Sequence, residues 1–142
     1  MQVTTHQGCD GITIDGQHGE WAEGELVPKG VDRSLPRCVC IRMTVGSFTG
    51  YTERSLLHTG VSDSSGIVYN FDERGHHKDA WVESINYPLK ADAPLSDDEW
   101  DAALCAHHAA HRGSGIPYRS LGYNCYQYVV EFLNSIEFAG CV

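Results

Sequence analysis

The sequence lacks the features that mark membrane, secreted and nucleic-acid-binding proteins. Its 142 residues contain no apolar run near the ~20 residues that a bilayer-spanning helix needs. Residues 1–30 have no basic head followed by an apolar stretch, so we predict no secretory signal and expect a reducing, cytoplasmic compartment. Positive charge is scarce, with ten Lys and Arg against nineteen Asp and Glu. This balance argues against the nucleic-acid backbone as the main partner.

The composition nevertheless predicts a folded domain with a real core. Apolar residues make up 42% of the chain and charged residues only 20%, which excludes wholesale disorder. The length suits one domain with an extension, and we expect an irregular N-terminal arm over residues 1–36 and a folded domain over residues 37–142. A reducing compartment predicts that the six cysteines are free thiols.

The pattern along the chain predicts strands followed by helices. Runs rich in β-branched residues predict strands at 38–48, 56–61, 66–71 and 80–89, with a hairpin from Ser62 to Gly66. Ser96 and Glu99 form a capping-box pattern, which predicts a helix to about Arg112. A second, nearly apolar helix is predicted from Asn124 to about residue 135. The order predicts an α+β fold, an antiparallel sheet of roughly four to six strands packed on a buried helix.

Three residues form the candidate catalytic constellation. Cys125 directly follows the predicted cap of the second helix, where unpaired amides favour a thiolate. If Ser62 pairs with Gly66, His58 faces Asn70 across the hairpin, on one face of the sheet. An Asn carbonyl can then orient the imidazole, as in Cys-His-Asn enzymes. The alternatives are a small buried thiol and a structural His–Asn bridge.

Four stretches of the chain together resemble a known family. Residues 56–61 and 66–71 read LLHTGV and GIVYNF, and residues 118–134 read YRSLGYNCYQYVVEFLN. With WVESI at residues 81–85, they resemble the domain of the makorin opposite-strand protein family over about residues 55–136. More distantly, the order of a His strand before a Cys helix is similar to the permuted papain-like thiol hydrolases. These include the PPPDE (DeSI-type) isopeptidases and the lecithin-retinol acyltransferase group.

The distant resemblance implies a fold and a mechanism. It implies a permuted papain-like architecture in which Cys125 is the nucleophile, His58 the general base and Asn70 its orienter. The Cys125 amide would be one oxyanion donor, and a second could come from Tyr123, Tyr118 or, beside its capping role, Asn124. No metal or organic cofactor is required.

Other clusters of potential metal ligands favour structural roles. A zinc site from His6, Cys9, Cys38 and Cys40 is disfavoured, because Cys-x-Cys in a strand leaves too little room for the usual knuckle. His107 and His111 share one helix face without the intervening Glu of a zincin, which favours a solvated face. The His76-His77 pair lies in a predicted charged loop, which favours solvent exposure.

Three functions follow as hypotheses. The first is a cysteine hydrolase that cleaves an amide, isopeptide or ester bond through an acyl-enzyme. The second is a non-catalytic protein-binding domain on the same fold, in which Cys125 is packed and inaccessible. The third, a lipid-handling acyltransferase, is disfavoured because no membrane-anchoring apolar segment is present. The acidic surface is compatible with a ubiquitin-like protein or a basic peptide as partner, and with a monomer or a dimer.

Overall fold

The computed structural model describes residues 30–89, 95–120, 122 and 124–136. The strands are β1 (Val31–Asp32), β2 (Cys38–Met43), β3 (Leu57–Ser62), β4 (Ile67–Asp72), β5 (Gly75–Ala80) and β6 (Ser84–Pro88). The helices are α1 (Asp97–Gly113) and α2 (Cys125–Ser135), and a short 3-10 turn spans Phe48–Gly50. Neither helix of these described residues has the length and hydrophobicity that a bilayer-spanning segment requires.

The six strands form one antiparallel sheet in the order β1-β6-β2-β3-β4-β5. The structure therefore confirms the predicted α+β class with an antiparallel sheet and two helices. Neighbouring strands of the sheet are also neighbours in sequence from β2 to β5, which short hairpin connections favour.

The two faces of the sheet are covered differently, because successive side chains of a strand point to opposite faces. We call the face that carries α1 and α2 the inner face and the opposite one the outer face. The inner face holds the larger core, whose main side chains are Val61, Ile67, Tyr69, Phe71, Trp100, Leu104, Tyr128 and Phe132. The outer face holds a smaller cluster made by Cys38, Cys40, Val68 and Trp81.

Both predicted helix starts are present with their caps. Ser96 Oγ accepts from the Glu99 amide at 3.1 Å, and Glu99 Oε1 accepts from the Ser96 amide at 3.0 Å, which completes the capping box. Asn124 Oδ1 accepts from the amides of Tyr126 and Gln127, so α2 begins where the sequence predicts. These local bonds satisfy amides that the first turn of a helix leaves unpaired.

The strand prediction was wrong at β5. Residues 75–80 read GHHKDA and were expected to continue an exposed loop, yet they form an edge strand paired with β4 along its whole length. The predicted strand over residues 80–89 is divided, because β5 ends at Ala80 and β6 begins at Ser84. Imidazole rings pack as flat, partly apolar groups in β5, so the strand needs no run of aliphatic residues.

The chain before residue 37 already contributes to the sheet. Val31 pairs with Ile85 through β1 and β6, and Ser34 Oγ donates to the Gly66 carbonyl at 2.7 Å. The predicted arm over residues 1–36 thus overlaps this first strand, while residues 1–29 lie outside the described residues.

Candidate functional site

The His58 and Asn70 side chains meet on the outer face of the sheet. His58 Nε2 and Asn70 Oδ1 are 2.9 Å apart, and the two side chains belong to β3 and β4. Both residues are buried, with 5% and 1% of their surface exposed. Burial lowers the pKa of His58, and the hydrogen bond from Asn70 only partly opposes it. The imidazole is therefore neutral near pH 7.

The contact forms in a register two residues away from the predicted one. Asn70 lies opposite Gly60 rather than His58, and Ser62 pairs with Val68 rather than with Gly66. A shift of two residues keeps every side chain on its face, so the predicted contact survives as a diagonal one. The prediction of a direct His58–Asn70 pair was wrong, because the hairpin loop is longer than the assumed one.

Gly60 makes room for the diagonal contact. A β-carbon at this position would lie 2.6 Å from Val68 Cγ1, 2.8 Å from the Tyr69 carbonyl oxygen and 2.9 Å from Asn70 Cβ. Real β-carbons essentially never come within 3.0 Å of such atoms. The absent side chain therefore lets β4 and the Asn70 amide approach β3 closely.

The Asn70 amide has a fixed orientation. Its Nδ2 donates to the Val68 carbonyl at 3.1 Å, to the His77 carbonyl at 3.4 Å and to Asp79 Oδ2 at 3.2 Å. All three partners are acceptors, so Oδ1 must face His58. Since Oδ1 can only accept, His58 carries its proton on Nε2. The pair is part of a hydrogen-bonded chain that ends on the Asp79 carboxylate.

Cys125 occupies the first position of α2, as the sequence predicts. Its side chain is buried, with 3% of the residue exposed. The Tyr118 hydroxyl hydrogen-bonds with the thiol, and burial together with this thiol raises the pKa of Tyr118. Asn124 caps the helix and donates through Nδ2 to the Ser120 carbonyl at 3.1 Å. Both the oxygen and the nitrogen of the Asn124 side-chain amide are thus engaged in local structure.

Of the proposed oxyanion residues that the structure describes, Tyr118 is the one whose side chain interacts with the Cys125 thiol. Asn124 is engaged as described above, and its side-chain oxygen serves backbone amides rather than a substrate. Tyr123 lies outside the described residues. No second donor beside the Cys125 amide can be assigned among the residues that the structure describes.

His58 and Cys125 lie on opposite sides of the sheet. Val61, three residues after His58 and therefore on the other face of β3, packs in the inner core with Tyr128. Tyr128 lies three residues after Cys125 on the same side of α2. His58 instead packs against Trp81 of the outer cluster, with ring centroids 5.6 Å apart. Among the described residues no hydrogen bond joins the thiol to this imidazole.

The inner face carries a histidine cluster that the sequence analysis assigned to solvent. His76 Nε2 and His111 Nδ1 are 2.7 Å apart, and His108 Nδ1 lies 2.5 Å from the Tyr128 hydroxyl. His107 Nε2 also reaches the Tyr128 carbonyl at 3.0 Å. The expectation of solvated histidines was wrong, because His111 is buried and His76 and His107 are half-buried. His108, for which exposure was not predicted, is buried as well. The signal was the helical spacing at which they extend the apolar stripe of α1.

Burial and mutual repulsion keep these inner imidazoles neutral. Burial, with the nearby His111 and Arg112, lowers the pKa of His76 to about 4. Burial, with the nearby His76 and Lys78, lowers the pKa of His108 to about 3. Burial also lowers the pKa of His111. These rings therefore pack as neutral groups at physiological pH.

A polar cavity of about 590 Å³ opens on the outer face, and its carboxylates are already engaged. Asp72 Oδ1 accepts from His77 Nε2 at 2.8 Å, and Asp79 accepts from Asn70 as described above. The Glu83 carboxylate accepts from a hydroxyl and a backbone amide at the start of the 3-10 turn. The carboxylate oxygens of the cavity thus accept hydrogen bonds from neighbouring groups of the protein.

The positive groups of the outer cavity have fewer hydrogen-bond and ion-pair partners among the described residues. The Arg42 guanidinium lies 4.9 Å from the centroid of the Trp81 ring, and its buried Nε has no hydrogen-bond partner. Arg74 also lines this cavity and makes no side-chain ion pair within the described residues. This face therefore offers a ligand guanidinium groups beside hydrogen-bonded carboxylates.

The other described thiols are structural. Cys38 and Cys40 are buried on the outer face, and burial raises their pKa values to about 11 and about 12. Cys105 is exposed, with its sulfur 3.3 Å from the Tyr69 hydroxyl. No group of three metal-ligating side chains occurs in the described part of the chain, and His6 and Cys9 lie outside it.

Comparison with known proteins places the chain in a family. A family model described as DUF4796 C-terminal matches residues 27–141. A relative described as "MKRN2 opposite strand protein", from Homo sapiens, is 33% identical over 105 residues, which are 70% of this chain and 46% of that protein. The chain therefore spans about half the length of this curated relative. No solved structure matches the chain.

Proposed function

The chain belongs to the DUF4796 C-terminal family, and we propose that it is a non-catalytic protein-binding domain on a permuted papain-like fold. The order of the sheet followed by a helix that begins at Cys125 supports this architecture. The observation that carries the functional proposal is the separation of the buried Cys125 thiol from the His58 imidazole by the sheet.

The contacts of the three candidate catalytic residues support a structural role for each. A general base must come within about 3 Å of the thiol proton, directly or through one water. His58 instead donates to Asn70, and the Asn70 amide is anchored on three acceptors. The Cys125 thiol interacts with the Tyr118 hydroxyl, and only 3% of the residue is exposed.

The outer cavity and the adjoining β2–β3 connection form the candidate binding surface. Val45 and Leu56 on this connection are 81% and 75% exposed, and the Leu56 carbonyl accepts from the Thr44 amide at 2.9 Å. Exposed apolar side chains beside a polar cavity are typical of protein-binding surfaces. Both guanidinium groups and carboxylates line the cavity, which favours a partner segment that combines apolar and polar residues.

This local charge differs from the charge of the whole chain. The net charge of −9 is the basis for a ubiquitin-like or basic partner, which stays a prediction. The cavity itself is lined by two guanidinium groups and three carboxylates, so its charge is nearly balanced. The charge of the cavity therefore selects neither an acidic nor a basic partner, and the exposed apolar side chains beside it carry the binding proposal.

Iodoacetamide labelling tests whether the domain is catalytic. The native protein is labelled over pH 5 to 9 and each cysteine peptide is quantified by mass spectrometry. We expect the exposed Cys105 to react while Cys125 reacts only after unfolding, and we expect His58→Ala to leave the Cys125 rate unchanged in the native state. Faster labelling of Cys125 than of Cys105 near pH 6, abolished by His58→Ala, would instead establish a thiolate–imidazolium pair and a hydrolase.

Affinity capture with matched variants tests the binding surface. Three baits are compared: the wild-type chain, the Leu56→Asp variant and the Val130→Asp variant. Val130→Asp is the matched control, because it changes an exposed apolar residue on α2. We expect partners retained by the wild type and by Val130→Asp to be lost with Leu56→Asp. Equal retention by all three baits would place binding elsewhere.

A further inference from the structure

A second cavity, of about 760 Å³, lies on the inner side beside the edge strand β5. It is bounded by the turn between β4 and β5, by β5 itself and by the last turns of α1. Of the described residues that line it, this cavity shares Arg74 with the outer cavity, and the Cys125 thiol does not line it. The volume is in the range of small-molecule sites and exceeds that needed for a single inorganic ion.

The charge of the lining is one-sided. Arg74, Lys78 and Arg112 line the cavity, and they are three of only ten Lys and Arg in the chain. None of the Asp and Glu residues that the structure describes lines it, although Glu73 is the neighbour of Arg74 in sequence. Since acidic residues outnumber basic ones almost two to one, the local excess is opposite in sign to the chain.

The three cations come from three separate elements and are not neutralised there. Arg74 belongs to the turn, Lys78 to β5 and Arg112 to α1. The ion pairs of the described residues involve none of the three. Lys78 Nζ lies 5.1 Å from the centroid of the Tyr69 ring, which fixes the ammonium without cancelling its charge. Three like charges around one cavity repel, and a bound anion would relieve that repulsion.

Two imidazoles complete the lining and can act as hydrogen-bond donors or acceptors. His76 and His108 each use one ring nitrogen for a protein contact, and the second ring nitrogen of each has no protein partner in the described part of the chain. Burial beside positive groups keeps the pKa of both rings low.

We propose that the cavity lined by Arg74, Lys78, Arg112, His76 and His108 binds a small organic phosphate through its phosphoryl group. The guanidinium groups suit paired hydrogen bonds to phosphate oxygens, and the ammonium adds a point charge. A phosphoryl group carries close to two negative charges near pH 7, which matches three cations better than a single carboxylate does. The remaining volume accommodates the organic part of the ligand.

Pyrophosphate titration tests this site, because pyrophosphate is the simplest probe with this chemistry. Calorimetry gives the dissociation constant for the wild type, for Lys78→Gln, for Arg112→Gln and for Arg54→Gln. Arg54 is exposed and lines neither cavity, so its variant is the matched control for the loss of one positive charge. Sodium chloride at equal ionic strength controls for screening.

The expected result is saturable binding of pyrophosphate by the wild type and by Arg54→Gln. Lys78→Gln and Arg112→Gln should each weaken it by about tenfold, the effect of losing one charge-assisted hydrogen bond. The ring signals of His76 and His108 should shift on binding in nuclear magnetic resonance spectra. Binding that the two cavity variants and the control weaken equally, or no binding by the folded wild type, would overturn the proposal. Unfolding curves without pyrophosphate establish that each variant folds.

Discussion

The Gly60→Ala substitution tests whether the close approach of β3 and β4 is a requirement of the fold. The added methyl group would lie within 3.0 Å of Val68 Cγ1, the Tyr69 carbonyl oxygen and Asn70 Cβ. Two of these three atoms belong to the backbone or to its first side-chain carbon, so no rotamer change moves them away. The strands must separate locally, and overpacking of this kind costs about 1–3 kcal/mol.

The same movement loosens the hydrogen bond between His58 and Asn70. Both groups are buried, and leaving such a group without its partner costs about 1–3 kcal/mol. With partial relaxation we expect Gly60→Ala to lower the free energy of unfolding by about 3 kcal/mol, out of the 5–15 kcal/mol usual for a domain. The melting temperature should fall by roughly 10 °C.

Urea unfolding followed by tryptophan fluorescence measures this effect. Gly113→Ala is the matched control, because a β-carbon at Gly113 meets nothing within 4 Å and this residue ends α1 without a positive φ. The control should be neutral or stabilise by up to about 1 kcal/mol. A Gly60→Ala variant within about 0.5 kcal/mol of the wild type would refute the steric argument.

Three further predictions concern buried polar groups. His108 has a pKa of about 3 when folded and about 6.5 when unfolded, so the unfolded state binds the proton first. The contribution of the neutral His108 ring to the free energy of unfolding should be complete above pH 6.5 and should fall by up to about 1.4 kcal/mol per pH unit towards pH 3. The His108→Gln variant should flatten this slope in urea titrations. Asn70→Asp places a carboxylate against Asp79 and two carbonyls, so it should cost about 3 kcal/mol at pH 7 and less at pH 4, where protonation relieves the repulsion. Equal losses at both pH values would contradict that repulsion. Trp100→Phe removes the 3.0 Å bond from Nε1 to the Ser62 carbonyl and should cost about 2 kcal/mol in thermal unfolding, whereas a neutral result would mean that water replaces the indole donor.

Local signals in the sequence were sufficient for the helices. The caps at Ser96 and Asn124 each depend on hydrogen bonds within four residues, so the residue types alone predict them. The β3–β4 hairpin was predicted with the correct faces but a register shifted by two residues. The loop residue Asp63 explains the shift, because its carboxylate accepts from the amides of Ser65 and Ile67 and lengthens the turn.

The edge strand β5 could not be predicted from hydrophobic alternation. Its sequence offers two histidines and a lysine where a strand usually has β-branched residues. Pairing with β4 and packing of His76 on the Phe71 ring, with centroids 4.5 Å apart, stabilise it instead. These are tertiary contacts with residues that a local pattern does not include.

The sequence could not predict on which face of the sheet the candidate catalytic residues lie, for a related reason. Alternation along β3 shows that His58 and Gly60 share a face, but residues 58–62 are all buried, so both faces are apolar enough to receive a helix. Which face α2 covers is decided by the path of the chain after residue 89, far from either residue. A thiol and an imidazole in the right order along a chain are therefore insufficient evidence for a catalytic dyad.

The net charge of the chain and the local charge of the inner cavity differ in the same way, because the first depends on composition and the second on position. The net charge of −9 is spread over the whole chain, and charges farther from a ligand than the Debye length of about 8 Å at physiological salt are largely screened. Lys78 and Arg112 line the inner cavity and would contact a bound anion directly, so their attraction should exceed that distant repulsion. Raising the salt concentration should therefore weaken pyrophosphate binding through the local pairs, although it also screens the repulsive net charge. Binding that strengthens with salt would show that the net charge dominates and that the cavity cations do not contact the anion.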